Sequence, residues 1–349
     1  MYRRNFIKVT ALAAIVPAVS PPSYAAPATP CANPDGGTVV WKATLERPAH
    51  VLALDGHTDT VPDIVGRMGQ AIDLCIFSEG NHFPVLLGEE IMGSFRAWAK
   101  GHARWSAVPL DNIVVVTLPQ PMIVAAIQGE GIALGNLILG INRAGGFYPD
   151  LVMGGVEPLR ALRHAAVVEG EARLFARNLG MALLVPAGNP RAVARVEDLA
   201  RADVRIVMAS TAEPGARALY AASLEAMLGP ERLAAVLSRE TVTFPGRLGI
   251  QHRDVLQALV GRHADVGIIF RHLAHYFAVT YPQSCAAVTV PGAEAHASTI
   301  AVAETKMPLR PQATQAFSEF FLGVARTVYP TYQFAPLSEA EFASPIALD

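Results

Sequence analysis

From residue 72 onward the chain alternates short apolar runs with longer stretches in which apolar residues return every three or four positions. The runs at 72–77, 112–117, 135–141, 150–153, 181–185, 204–208 and 265–270 have strand length and are bounded by polar or turn-forming residues. Helical spacing recurs at 85–99, 157–165, 215–228, 231–238, 253–261 and 311–328. Strands taken in turn with helices predict an α/β fold, with parallel sheets covered by helices on both faces. Ligands in such folds sit beyond the carboxyl ends of the strands, so function is expected in the loops that follow strands. Upstream of residue 72 the regularity is lost. There the chain is rich in Pro and Gly, with strand-like runs only at 38–43 and 51–54.

Composition narrows the picture. A chain of 349 residues suggests two domains, and 52% hydrophobic with 17% charged residues supplies large cores. A formal net charge of -2 with no Lys/Arg cluster argues against nucleic acid as a partner. Residues 1–26 read as a signal peptide: Arg3, Arg4 and Lys8 precede an apolar run at 9–19, and small residues suit cleavage near Ala25 and Ala26. The RRNFIK run also resembles a twin-arginine export signal. A periplasmic location follows as an expectation. In that oxidising compartment Cys31 and Cys285 have the option of pairing, whereas Cys75 lies in an apolar strand run and reads as a buried small hydrophobe.

Three loops carry candidate chemistry. Ser78, Asn81 and His82 lie in SEGNHFP, where the strand IDLCIF meets a helix whose free N–H groups can seat an anion. In ASTAEPGARALY, Ser210, Thr211 and Glu213 precede Pro214 at a helix start, where capping alone and capping with ligand contact remain equal readings. The third loop, GIQHRDV, puts Gln251 and His252 at another helix start.

The ordered series of these segments resembles the periplasmic molybdate- and tungstate-binding proteins, type II solute-binding components of ABC importers. The likeness runs from about 72 to 337 and is carried by LVPAGNPRAVARVEDLARADVRIVMASTAEPGARALYAASLEAMLG, by HRDVLQALVGRHADVGIIF, and by the TIAVAE and TVYPTYQFAPL runs. It implies two α/β lobes joined by two hinge-crossing segments, near 177–188 and 288–303, with a ligand clamped between. The domains would be a signal peptide at 1–26, an extension at 27–71, a first lobe of 72–177 with 304–349, and a second lobe of 178–303. It further implies a small oxyanion as ligand, an importer permease as partner, a monomer, no cofactor and no catalysis. The family's contact loops fall on Ser78, Asn81 and His82, on TLPQPM with Pro119 and Gln120, on Ser210, Thr211, Gly215 and Ala216, and on Gln251 and His252. The chain departs from the pattern where Glu79 and His82 replace small residues and where TLPQPM lacks a hydroxyl pair. Arg271 follows a Phe where the family has Tyr. It suits a carboxylated or larger anion, or else is a solvated surface residue.

GHTDTVP, residues 56–62, resembles the first metal motif of dizinc exopeptidases, with His57 as ligand and Asp59 behind it, and Glu89–Glu90 stands where that family has paired glutamates. The mechanism also needs a bridging Asp and further ligands, and neither Asp63 nor Asp73 has the setting for one. The spacing to the Glu pair is too short, so hydrolysis is the weakest reading. An alternative keeps a cation without catalysis, with His57, Asp59 and His82 converging on a metal ion or metal chelate.

Overall fold

A computed structural model describes residues 63–349 apart from 135–136, 212, 246 and 248. The strands are β1 (Ile64–Val65), β2 (Leu74–Glu79), β3 (Ile113–Leu118), β4 (Gly131–Leu134), β5 (Leu137–Gly140), β6 (Leu151–Gly155), β7 (Glu171–Arg177), β8 (Met181–Pro186), β9 (Ile206–Met208), β10 (Val266–Phe270), β11 (Cys285–Thr289), β12 (Thr299–Glu304) and β13 (Pro345–Ala347). The helices are α1 (Phe83–Leu86), α2 (Ser94–Gly101), α3 (Gln120–Gln128), α4 (Val156–His164), α5 (Pro214–Leu228), α6 (Pro230–Leu237), α7 (His252–Val260), α8 (Arg271–Thr280), α9 (Pro311–Thr331) and α10 (Glu339–Ala343). A seven-stranded sheet has the order β1-β3-β2-β6-β12-β7-β13, and a four-stranded sheet the order β11-β8-β10-β9. β4 and β5 form a separate hairpin.

The sheets are mixed, which corrects the expectation of parallel sheets. Pairing is parallel for β2 with β3 and β6 and for β9 with β10, where a helix intervenes. It is antiparallel wherever β12, β8 or β11 enters, because those strands arrive from the other sheet or return beside it. Each face of the large sheet has its own apolar layer. One gathers Phe95, Phe175, Phe317 and Phe321; the other gathers Phe77, Ile123, Phe147 and Leu162. α9 shows why such a helix docks: Ala313, Phe317, Phe320, Phe321 and Ala325 repeat at helical spacing on the buried face. The third core, with Leu183, Leu184, Tyr220, Leu224, Ile268 and Phe277, wraps the small sheet.

The chain passes from the large to the small sheet between β7 and β8, and back between β11 and β12. Asn178 ties the two passages together: its Oδ1 accepts from Gly180 N at 3.0 Å and Ser298 N at 3.1 Å, and its amide donates to Ser298 Oγ. Gly180, at φ +71°, lies so close to the second passage that a Cβ would stand 2.0 Å from Ala293 O. Only glycine fits both the left-handed backbone and that approach.

One predicted helix, 85–99, is broken. α1 stops at Leu86, a π-helical turn covers Glu89–Gly93, and α2 follows. Gly88 and Gly93 flank that turn, and neither favours a continuous helix. The strand-like runs at 38–43 and 51–54, the signal-peptide reading, Cys31, and the His57/Asp59 motif lie outside the described residues. Among the described residues, no helix is long and apolar enough to cross a membrane.

Candidate functional site

A small cleft opens between loops of the two sheets. Gly80, Asn81 and Pro119 line it from the large-sheet side, and Glu213, His252, Arg253 and Leu273 from the small-sheet side. The first group follows β2 and β3; in the second, Glu213 and Leu273 lie at the starts of α5 and α8 after β9 and β10, where strand-end loops were expected to carry function, and His252 and Arg253 lie at the start of α7, which precedes β10.

The small-sheet wall is built on Glu213. It occupies the N-cap position of α5, yet its side chain makes no capping bond. The carboxylate turns instead to the start of α7. Oε1 accepts from His252 N at 2.9 Å and Oε2 from His252 Nδ1 at 2.5 Å. With Nδ1–H donating there, Nε2 accepts from Tyr220 O–H at 2.6 Å. Burial first, and Glu213 second, push the Tyr220 hydroxyl well above its ordinary value and keep it a donor. Gln251 N is taken by Asp254 Oδ2 at 2.9 Å, so the chain's own carboxylates engage the first N–H groups of α7.

Arg253 reaches across the cleft. Its guanidinium pairs with Asp63, just ahead of β1, and donates from Nη2 to Thr117 O at 2.9 Å. Burial lowers its pKa to about 10, partly offset by Asp254, and it stays cationic at neutral pH. A second crossing contact runs from His272 Nε2 to Asn81 O at 2.9 Å, with the ring stacked on Phe334 at 4.1 Å.

Next to Gly80 at the end of β2, Glu79 is buried and its carboxyl is pushed up to about 8, by desolvation above all and then by the Glu213 charge. Hydrogen bonds from Gly155 N–H and the Asn81 side chain oppose the rise without cancelling it. Glu79 is therefore mostly a neutral acid at pH 7 and puts little negative charge there.

The sequence-predicted residues divide. Asn81 and His252 line the cleft. Gln251 lies at its edge, its amide donating to Met122 Sδ at 3.5 Å. His82 is fully buried beside Ser78: the Ser78 hydroxyl donates to Glu79 O, Nε2 of His82 lies 2.9 Å from Ser78 Oγ, and Nδ1 lies 2.8 Å from Tyr329 O–H. Burial drops that imidazole to about 3, so it stays neutral with both nitrogens engaged in the core. Gln120 packs against Gly154 and Gly155, leaving its neighbour Pro119 on the cleft. Ser210 bonds through its backbone to Ile250 and Glu213, and Thr211 and Gly215 are exposed, with Ala216 half-buried. Arg271 donates to Gln333 Oε1 at 3.1 Å. Glu90 accepts from Tyr332 O–H at 2.6 Å, and no three His, Cys, Asp or Glu side chains among the described residues converge on a metal-sized point. Cys285 is a buried thiol pushed up to about 12 by desolvation.

Sequence reasoning missed Arg253 as a member of the cleft, and for Glu213 it left capping and ligand contact as equal readings. The one available signal for Arg253 was its place directly after the candidate His252.

Solved structures share the fold. The sulfate-binding protein SubI of Mycobacterium tuberculosis is 16% identical at a TM-score of 0.51, covering 78% of this chain and 90% of its own. A substrate-binding protein of an ABC transporter from Agrobacterium tumefaciens is 11% identical at 0.53, covering 80% and 85%. PEB3 of Campylobacter jejuni, with L-phospholactate bound, is 13% identical at 0.50, covering 76% and 100%. These are type II periplasmic binding proteins, two-lobed α/β folds. A comparison with curated proteins finds no match. The model of the bacterial extracellular solute-binding proteins matches residues 99–326, more than half of the sequence, and the chain belongs to that family.

Proposed function

We propose that the protein captures a small anionic solute in the cleft and presents it to an ABC-importer permease, as a periplasmic monomer without chemistry of its own. The observation that carries this reading is a cleft walled from both sheets, with the cationic Arg253 and the amide of Asn81 among its lining. Residues 72–177 with 304–349 would close on 178–303 about the passages tied by Asn178, a hinge motion of the kind two-lobed receptors use. The sulfate-binding protein SubI and PEB3 with bound L-phospholactate accord with an anion, the oxyanion class expected from sequence, though they share only the fold.

The test is thermal unfolding of the exported chain against a panel of oxyanions and carboxylates, since a ligand bound by the folded state alone raises Tm. Upward shifts by anions, lost in Arg253→Met, support the reading; a panel without any shift sinks it.

A second reading, a cationic ligand, is favoured by one observation: the Glu213 carboxyl lines the cleft, and its charge acts on the buried Glu79 carboxyl at the end of β2. Divalent and ferric ions in the same panel decide it. Cation binding must strengthen as pH rises through about 8, where Glu79 ionises, whereas anion binding must weaken.

A further inference from the structure

A carboxylate has about four lone-pair positions, and Glu213 uses two of them on His252, one through the backbone N–H and one through Nδ1. Glu213 also lines the cleft, so its remaining lone pairs meet whatever enters. Arg253, on the same lining, pairs with Asp63. The two strongest anion-attracting groups of this wall, the start of α7 and the Arg253 guanidinium, are thus each partly neutralised by a carboxylate of the chain.

We propose that Glu213 is the specificity-determining residue of the cleft, selecting anions that carry a hydroxyl or other hydrogen-bond donor over anions of the same size that carry none. The inference rests on the anion reading above. A donor-free ligand oxygen placed against Glu213 sets acceptor against acceptor and leaves the carboxylate's free lone pairs unanswered. A ligand O–H donates to them and leaves its anionic oxygens for Asn81 and Arg253. Sites built around a buried acceptor discriminate strongly against ligands that cannot donate to it. By this logic a fully ionised molybdate or sulfate is a poor fit, and a singly protonated oxyanion or a hydroxy acid is a good one.

The test uses matched probes on the full chain at about pH 7: phosphate, which still carries at least one proton there, against sulfate, glycolate against acetate, and malate against succinate, with dissociation constants from calorimetry. Wild-type protein is expected to favour the donor-bearing member of whichever pair binds by at least about tenfold. Glu213→Gln, whose amide both donates and accepts, is expected to reduce that preference to within about threefold by admitting the donor-free partner. The wild-type comparison stands alone if the variant does not fold. Equal affinity within the pairs for wild type, or an undiminished preference in folded Glu213→Gln, overturns the inference and leaves anion capture intact. No binding by any probe overturns both.

Discussion

Glu79→Gln isolates one buried ionisation. The wild-type carboxyl is held at about 8 against an ordinary 4.5, by burial and by the Glu213 charge. As pH rises, the unfolded chain ionises this group first, while the folded protein resists until about 8. The stability attached to Glu79 is thus whole below 4.5 and is lost between 4.5 and about 8. The full window is worth on the order of 5 kcal/mol, and the stretch from about pH 5 to about pH 8 roughly 3 kcal/mol. Gln keeps the size of the side chain and can still accept from Gly155 N–H, but does not titrate. Urea unfolding of both proteins across this range is the assay. Other titrating groups are common to both chains and cancel in the difference, except as far as Glu213 responds to losing its neighbour. Wild type should lose about 3 kcal/mol relative to Glu79→Gln from the acid to the alkaline end. Parallel pH profiles would refute the claim that Glu79 is buried as a neutral acid under the influence of the Glu213 charge.

His82 and His272 shape the opposite limb. Each is held at about 3 by burial against an ordinary 6.5, so stability is lost as pH falls from 6.5 toward 3, and His272→Phe, which keeps the stack on Phe334, should flatten that decline in urea titrations. Asp63→Asn removes the charge paired with buried Arg253 and should cost about 3–5 kcal/mol, with part of the loss recovered when Arg253→Met is added. Gly180→Ala drives a Cβ toward Ala293 O in a left-handed backbone and should cost on the order of 3 kcal/mol or more, seen as a lowered urea midpoint. Phe317→Ala, which empties a fully buried site packed edge-on against Phe95, should cost about 3–5 kcal/mol in the same measurement.

The sequence by itself determined the class of fold and many of the elements, though its apolar runs did not pick out β7, β11, α3 or α8. Strands such as β3 and β10 are uninterrupted apolar runs because both of their faces are covered, and α9 shows its face through the 3.6-residue return of Ala313, Phe317, Phe320 and Phe321. Pro214 and Pro230 announce helix starts because a first-turn residue needs no N–H partner. Strand direction was not legible, because periodicity does not say which distant strand β12 will join. Nor was the break after Leu86, where local spacing continued but the glycines on either side of residues 89–92 let the backbone change its hydrogen bonding.

The cleft was legible as a set of loops and opaque as a set of side chains. SEGNHFP, TLPQPM and GIQHRDV each place a residue on it, since the carboxyl ends of strands converge wherever such sheets meet. Which residue of each loop turns inward was decided by tertiary contacts: Tyr329, 247 positions from His82, holds that ring in the core. Glu213 leaves its cap for His252 N–H, and Asp63 meets Arg253 from 190 positions away. Ionisation followed the same rule. Glu79 is an ordinary acid in the sequence, and becomes a neutral one only because folding removes its water and brings the Glu213 charge to bear on it.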